Sequence, residues 1–398
     1  MARKHGVLIV ADGDYKYGAS HSLVQMAAAL QNLMSDEIQI TVVLNANAAG
    51  LSNQLEEYGC RTVTCDFDPF VQDRPTDIEI WKVPKNYITR DAKYWVKRRR
   101  SFRELCSKIS VDSIDIVHSN SSREDFGALV ANRLAIPLLW HIREFGDKDY
   151  NCISFRRSYI DYMNRSATKL VAVSHAVRNH WVQKGIDPKL IDVVYNGVPC
   201  VKINDDRFEL RHSCLKAVFA GSLTATKGQW QMVQAMRNLP AVIRSKISVD
   251  IIGDGTGQYP KELKRAVAVN GLDECIKFLG YKTGLTEKFA DYDVGLMCSK
   301  SEGFGRVTAE YMMAGLAVIA SDSGANPEIV NDGVTGLLFR NCDINDLTNK
   351  IQYLIQNPLR IASLGRAARE EAIERFTVEK NAERIAAIYE DLLSKRRS

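Results

Sequence analysis

Short apolar runs alternate with longer amphipathic stretches along this chain, and the cycle is completed twice. In the first half GVLIVAD, IQITVVLN, IDIVHSN, IPLLWHI and TKLVAVS are separated by segments such as SHSLVQMAAALQNL and FGALVANRLA. In the second half LKAVFAGSL, ISVDIIGDG, IKFLGY, DVGLMCS, LAVIASD and GLLFR are separated by KGQWQMVQAMRNL, YPKELKRAVAVNG and INDLTNKIQYLIQ. The short runs are apolar at successive positions rather than at every second one. Such strands are buried on both faces, as in a parallel sheet covered by helices. The pattern therefore predicts two successive α/β domains, and 398 residues is enough chain for two large ones.

The boundaries follow from where periodicity fails. A first domain is predicted over 1–198, a linker over 199–214 and a second domain over 215–376. The segment NGVPCVKINDDRFELRHSC has little pattern, one proline and several charges. A final helix over 377–398 is expected to cross back to the first domain. The nine cysteines form no CxxC pair and are odd in number, which points to reduced thiols in a cytoplasmic protein, not to disulfides or a zinc site. The N-terminal apolar run ends at Asp12 after about five residues, so it reads as a strand and not as a signal peptide. No run approaches the roughly 20 apolar residues of a spanning helix. A net charge of +5 is mild, and no nucleic-acid partner is expected.

The segment that carries chemistry is SEGFGRVTAEYMMAGLAVIASDSG, from Ser301 to Gly324. It follows the apolar strand DVGLMC. Gly303 and Gly305 allow a tight turn and close approach of a ligand to the backbone. A helix is predicted from Gly305 or Arg306 to about Ala314, stopped by Gly315. A helix N-terminus at the carboxyl end of a parallel strand is an anion site. Glu310 lies about 7 Å further along that helix, at about 1.5 Å per residue. That position suits neutral hydroxyls better than a phosphate, and Glu302 stands on the other side of the turn. Two carboxylates flanking a phosphate site match two polyols joined through phosphates, as in a nucleoside diphosphate sugar.

EGFGRVTAE also resembles the E-x7-E motif of retaining GT-B glycosyltransferases of family 4. FAGSLTATKG, IIGDGTG, IKFLGY, VIASDSGANPEIV and DGVTGLLF are similar to that family in the same order. YGASHSLVQMA, DIVHS, LVAVSHAVR and VVYNGV extend a weaker similarity through the first half. The resemblance implies a GT-B fold, with two Rossmann-like domains facing across a cleft. It implies that Glu310 binds the ribose hydroxyls and Glu302 the transferred sugar. Gly303, Phe304 and Gly305 would offer main-chain amides, and Lys227 would pair with the diphosphate. Tyr281 and Lys282 would border the base, with Gly18, Ser222 and Gly253 also along the donor. A UDP-sugar is favoured over a GDP-sugar, with a glycan or lipid-linked acceptor in cell-surface polysaccharide synthesis. No cofactor or metal is required.

The chain departs from the family pattern at three places. Ser222 stands where an arginine is usual, and Arg306 is expected to supply the missing positive charge. Tyr17 and Gly18 replace a pair of glycines. HIREF replaces a His-Asp pair, leaving His141, Arg143 and Glu144 as alternatives for the group facing the sugar. His118 ends a strand at the face where ligands bind, and is taken with Glu302, Lys227, His141 and Arg143 as catalytic. Asp12 and Asp14, and likewise Asp291 and Asp293, are read as closing and opening strands rather than holding magnesium. GDGTG at Gly253–Gly257 is not a dinucleotide fingerprint. An epimerase, a hydrolase or a non-catalytic nucleotide-sugar-binding subunit would share the donor site, whereas a phosphorylase lacks a matching segment.

The stretch 91–109 carries seven basic and two acidic residues, with Tyr94, Trp95 and Phe102 interleaved. A solvated helix face is the ordinary reading. Peripheral contact with an anionic inner membrane face is the sharper one.

Overall fold

Val7, Leu8, Ile9 and Val10 are at most 1% exposed, so neither face of the first strand meets water. In a computed structural model, residues 3–11, 18–45, 50–73, 83–146, 152–154, 158–203, 208 and 214–397 are described. They form two units, one of Met1–Gly197 with Val378–Ser398 and one of Val198–Thr377.

In the first unit the strands are β1 (His5–Ala11), β2 (Ile38–Leu44), β3 (Arg61–Thr64), β4 (Val71–Asp73), β5 (Ile114–Ser119), β6 (Leu138–Ile142), β7 (Cys152–Ser154), β8 (Lys169–Ala172) and β9 (Ile191–Val193). Seven of them form a sheet in the order β3-β2-β1-β5-β6-β8-β9, parallel throughout. The pair β4–β7 is antiparallel and separate. The last helix, Val378–Arg397, belongs to this unit. It packs its apolar stripe Ala382, Ile385, Ala386, Tyr389 and Leu392 into the core formed by β1, β2 and the helix Gly18–Leu33. Burying a large apolar side chain contributes about 1.5–3 kcal/mol, so the distal end of the chain is a structural part of the first unit.

The second unit contains β10 (Leu215–Ala220), β11 (Ile247–Ile252), β12 (Ile276–Gly280), β13 (Val294–Met297), β14 (Ala317–Ser321) and β15 (Gly336–Phe339). They form one parallel sheet in the order β12-β11-β10-β13-β14-β15. Its core joins β10, β11, β13 and β14 to the helices Gln229–Asn238, Tyr259–Val269 and Ile344–Gln356. Each sheet with its helices is a Rossmann-like α/β domain.

The predicted linker differs from what is observed. Val198 and Val201 are buried and belong to the second unit. The Val198 N–H donates to Phe376 O at 2.8 Å, and Arg369 Nη2 donates to Val201 O at 2.6 Å. Phe208 lies under the Arg366 guanidinium at 4.8 Å. Lack of periodicity marked a segment held by individual contacts, not a free tether. Residues 204–207 and 209–213 lie outside the described residues.

The basic stretch lies on the helix Val83–Lys108. Its aromatics face inward: Tyr94 is 4% exposed and its hydroxyl donates to Asp125 Oδ1. Trp95 and Phe102 are half-buried. Three of its cations are also engaged, Lys97 with Asp66 and Asp68 at 2.7 Å each, Arg98 with Asp125 at 3.3 Å, and Lys108 with Glu104 at 2.6 Å. Arg99, Arg100 and Arg103 remain exposed, with Val96 beside them.

Candidate functional site

The strand order of the second unit reverses between β10 and β13, with β11 and β12 on one side and β14 and β15 on the other. Connections leaving two such strands turn opposite ways and leave a crevice at the carboxyl ends, where ligands bind in doubly wound sheets. The segments after β10 and β13 meet there. The Lys300 N–H donates to Thr226 O at 2.9 Å, and Gln231 Nε2 donates to Cys298 O at 2.9 Å. A Cβ on Gly228, whose φ is +78°, would lie 1.9 Å from Cys298 O. Glycine is what lets these two segments close on one another.

This closure brings Lys227 to Glu302. Lys227 Nζ lies 2.6 Å from Glu302 Oε1, and Ser299 Oγ donates to the same oxygen at 2.6 Å. The backbone of Glu302 is fixed as well: its carbonyl accepts the Ala325 N–H at 2.9 Å. A Cβ on Gly324 would fall 2.3 Å from that carbonyl oxygen.

Gly305 has φ +75° and begins the helix Arg306–Met313. A Cβ there would meet Asn326 Oδ1 at 3.0 Å and Thr308 Oγ1 at 3.2 Å. Phe304 turns into the core, edge-on to Phe376 at 5.7 Å. The turn Gly303–Gly305 therefore presents backbone, and the first amides of the helix have no intrahelical acceptor. One helical turn on, Glu310 Oε1 lies 2.8 Å from Arg306 Nε, each side chain being 13% exposed. Burial pushes the Glu310 carboxyl above its ordinary range, and Arg306 draws it back down.

Lys227, Glu302, Gly303, Phe304, Gly305, Arg306 and Glu310 thus gather at one end of one sheet. Ser222 is exposed just after β10, and its carbonyl accepts Gln229 Nε2 at 2.8 Å. Gly253 follows β11, where a Cβ would strike Gly221 O at 2.0 Å; its glycine serves closure of the strand ends. Tyr281, after the edge strand β12, is 42% exposed. Asp293 is structural, since its Oδ2 accepts the Lys216 N–H at 2.8 Å. Among the described residues no group of three or more His, Cys, Asp or Glu is placed to hold a metal; Asp12 and Asp14 lie outside them.

In the first unit Gly18 opens the helix Gly18–Leu33 after β1. His118, expected at a ligand, is instead fully buried. Its Nδ1 lies 2.6 Å from the Tyr389 hydroxyl on the last helix, and its Nε2 3.3 Å from His141 Nδ1. In this structure the His118 side chain has no exposed surface and bridges the last helix to His141. His141 is buried too, but its Nε2 has no hydrogen-bond partner, so it retains one unused polar atom. Burial, and secondarily Arg143, push His118 down to about 3, and the same causes hold His141 well below its ordinary range. Both imidazoles are neutral near neutral pH.

Arg143 and Glu144 are both engaged by neighbouring polar groups. Arg143 is held by Asn120 Oδ1, at 2.9 and 2.7 Å, and by Asn196 Oδ1 at 2.6 Å. Glu144 Oε1 accepts from Ser121 Oγ, Ser122 N and Ser122 Oγ at 3.1, 2.7 and 2.5 Å. These two residues lock together the segments that follow β5, β6 and β9. Sequence reasoning passed over Ser299, Asn120 and Tyr389. Asn196 was visible in VVYNGV, but without a role.

The family profile for glycosyl transferases group 1 matches residues 202–371, and that for glycosyltransferase family 4 matches residues 18–202. An uncharacterized glycosyltransferase of Methanocaldococcus jannaschii is 27% identical, over 82% of this chain and 88% of its own. The lipopolysaccharide core biosynthesis mannosyltransferase LpsB of Rhizobium meliloti is 30% identical, over 36% of this chain and 42% of its own. Among solved structures, Anabaena HepE in complex with UDP superposes with a TM-score of 0.76 at 22% identity, covering 97% of this chain and all of that one. Sucrose-phosphate synthase from Thermosynechococcus elongatus gives 0.73 at 19%, covering 98% of this chain and all of its own. At these identities the structural likeness shows the fold.

The buried histidine pair makes a pH prediction. In the folded protein His118 stays neutral down to about 3, against an ordinary 6.5 when unfolded. The unfolded chain therefore binds the extra proton first as pH falls. Stability is full above about 6.5 and is lost toward about 3, at up to about 1.4 kcal/mol per pH unit for each such imidazole. Denaturant melts of the first unit, followed by hydrogen exchange in β5 and β6, should show this fall, and His118→Gln should flatten it. An equally steep fall in the variant would contradict the assignment.

Proposed function

This chain belongs to the family 4 glycosyltransferases, and we propose that it moves a sugar from a UDP-sugar to a glycan or lipid-linked acceptor with retention of anomeric configuration. One observation carries the reading: Lys227, Glu302, the Gly303–Gly305 turn and Glu310 converge at the β10–β13 reversal. The UDP complex of HepE and a complex of the same protein with UDP-glucose support a uridine nucleotide. The lipopolysaccharide core mannosyltransferases among the relatives support a cell-surface glycan as acceptor.

In this reading the diphosphate lies on the amides of the turn and the start of the helix Arg306–Met313, with the ribose hydroxyls at Glu310 and the sugar near Glu302. Without donor, Lys227 neutralises Glu302. When the diphosphate arrives, Lys227 shifts toward it, leaving Glu302 and its Ser299 bond to receive sugar hydroxyls. The bond from the anomeric carbon to the β-phosphate oxygen breaks, and its electron pair goes to the phosphate. Lys227 and the turn amides stabilise that charge. The acceptor oxygen bonds to the anomeric carbon from the same face, and its proton passes to the departing phosphate. Positioning is the protein's main contribution. We assign no cofactor, and the nucleotide sugar is substrate.

Calorimetric titration with UDP, GDP and ADP tests the donor. UDP should bind most tightly. Glu310→Ala and Lys227→Ala should each weaken it by about 1–3 kcal/mol, roughly five- to 150-fold, as expected when a buried or charged partner is lost. Equal binding of all three nucleotides, or unchanged affinity in both variants, contradicts the reading. An inverted anomer in the product, read by proton NMR, contradicts retention alone.

Arg99, Arg100 and Arg103 suit an anionic lipid surface. Vesicles containing phosphatidylglycerol should sediment the protein, and Arg99, Arg100 and Arg103 changed together to Gln should abolish this. Equal sedimentation with neutral vesicles would remove the membrane from the account.

A further inference from the structure

Arg306 is badly placed for a cation whose task is to stabilise its helix. It is the first residue of Arg306–Met313, where the helix dipole is positive and favours acidic side chains. It also precedes Glu310 by four residues, the less favourable order for an ion pair along a helix. Yet the pair is formed, with Nε 2.8 Å from Oε1 and both side chains 13% exposed. The guanidinium expected to replace an arginine at Ser222 is thus turned along its own helix to a carboxylate.

Glu310 depends on this contact. Burial disfavours its charged form, and Arg306 is the charged group that opposes burial. Other charges on the packed elements are committed elsewhere. Arg369, on the helix Pro358–Arg375, donates to Met313 O and Val201 O. Arg375 pairs with Glu371 and donates to Glu328 O. Tyr311, next to Glu310, is buried and raised well above its ordinary range, so it stays neutral. The contact engages Oε1, so one carboxylate oxygen is held by the guanidinium.

We propose that Arg306 is a positioning residue for Glu310, holding one carboxylate oxygen so that the other receives the hydroxyls of a ribose. The proposal rests on the donor reading above and gives Arg306 a task in it. The guanidinium keeps Glu310 ionised in its buried setting and sets its rotamer before the nucleotide arrives. A neutral carboxyl group would offer a poorer acceptor to a diol than a carboxylate does.

The test is calorimetric affinity for UDP and for 2′,3′-dideoxy-UDP across pH, using the full chain. Wild type should prefer UDP by a factor that stays constant from about pH 8 to about pH 6. In Arg306→Gln the preference should survive at the alkaline end and fall with acidification, by up to about tenfold per pH unit, as Glu310 becomes neutral. Arg306→Lys should restore much of it. If Arg306→Gln weakens both nucleotides equally at every pH, Arg306 acts on the diphosphate and the proposal is wrong. If Glu310→Ala leaves the preference for UDP intact, the donor reading itself fails and the proposal with it.

Discussion

The closure of two segments across the β10–β13 reversal underlies everything chemical in the second unit. It rests on the Lys300–Thr226 and Gln231–Cys298 hydrogen bonds and on the absence of a side chain at Gly228. Parallel strands leave this crevice because their connections diverge. Apolar packing alone would leave a gap there. In this chain, backbone contact draws the segments together closely enough for a lysine after one strand to reach a glutamate after the next. The Lys227–Glu302 pair is a consequence of that closure, as is the placing of the turn that opens the helix Arg306–Met313.

Charge balance organises the same region. Each of the two carboxylates flanking the glycine turn has its own cation, Lys227 for Glu302 and Arg306 for Glu310. The pairs differ in exposure: a third of the lysine side chain meets solvent, whereas Arg306 and Glu310 are both nearly enclosed. The more open pair suits exchange with an arriving anion. The enclosed pair suits a fixed acceptor. In the first unit polar groups are used differently, since Arg143, Glu144 and the two histidines bind one segment of the protein to another.

The second unit was largely legible in the sequence because its signals are local. A strand, two glycines, a helix and two glutamates at a spacing of eight lie within one short stretch, and backbone geometry brings them to one end of one sheet. The parallel α/β character of the sheet could be expected from the alternation of apolar runs; the strand order came from the structure. What escaped reading depends on partners distant in the chain. His118 lies under Tyr389, which arrives from the last helix 271 residues later, so a histidine at a strand end became part of the core. Tyr94 and Arg98 were drawn inward by Asp125, which no local pattern announces. The segment after Gly197 has no periodicity because it is held by single hydrogen bonds, such as that of Arg369, rather than by an amphipathic face.

The most direct measurement is a crystal structure of the protein with UDP bound. The account predicts the diphosphate on the amides of the Gly303–Gly305 turn and the start of the following helix, with Lys227 moved from Glu302 toward it. It also predicts the ribose hydroxyls at Glu310, with the Arg306 contact retained. A nucleotide bound away from the β10–β13 reversal would contradict it, as would one bound there with its ribose turned away from Glu310.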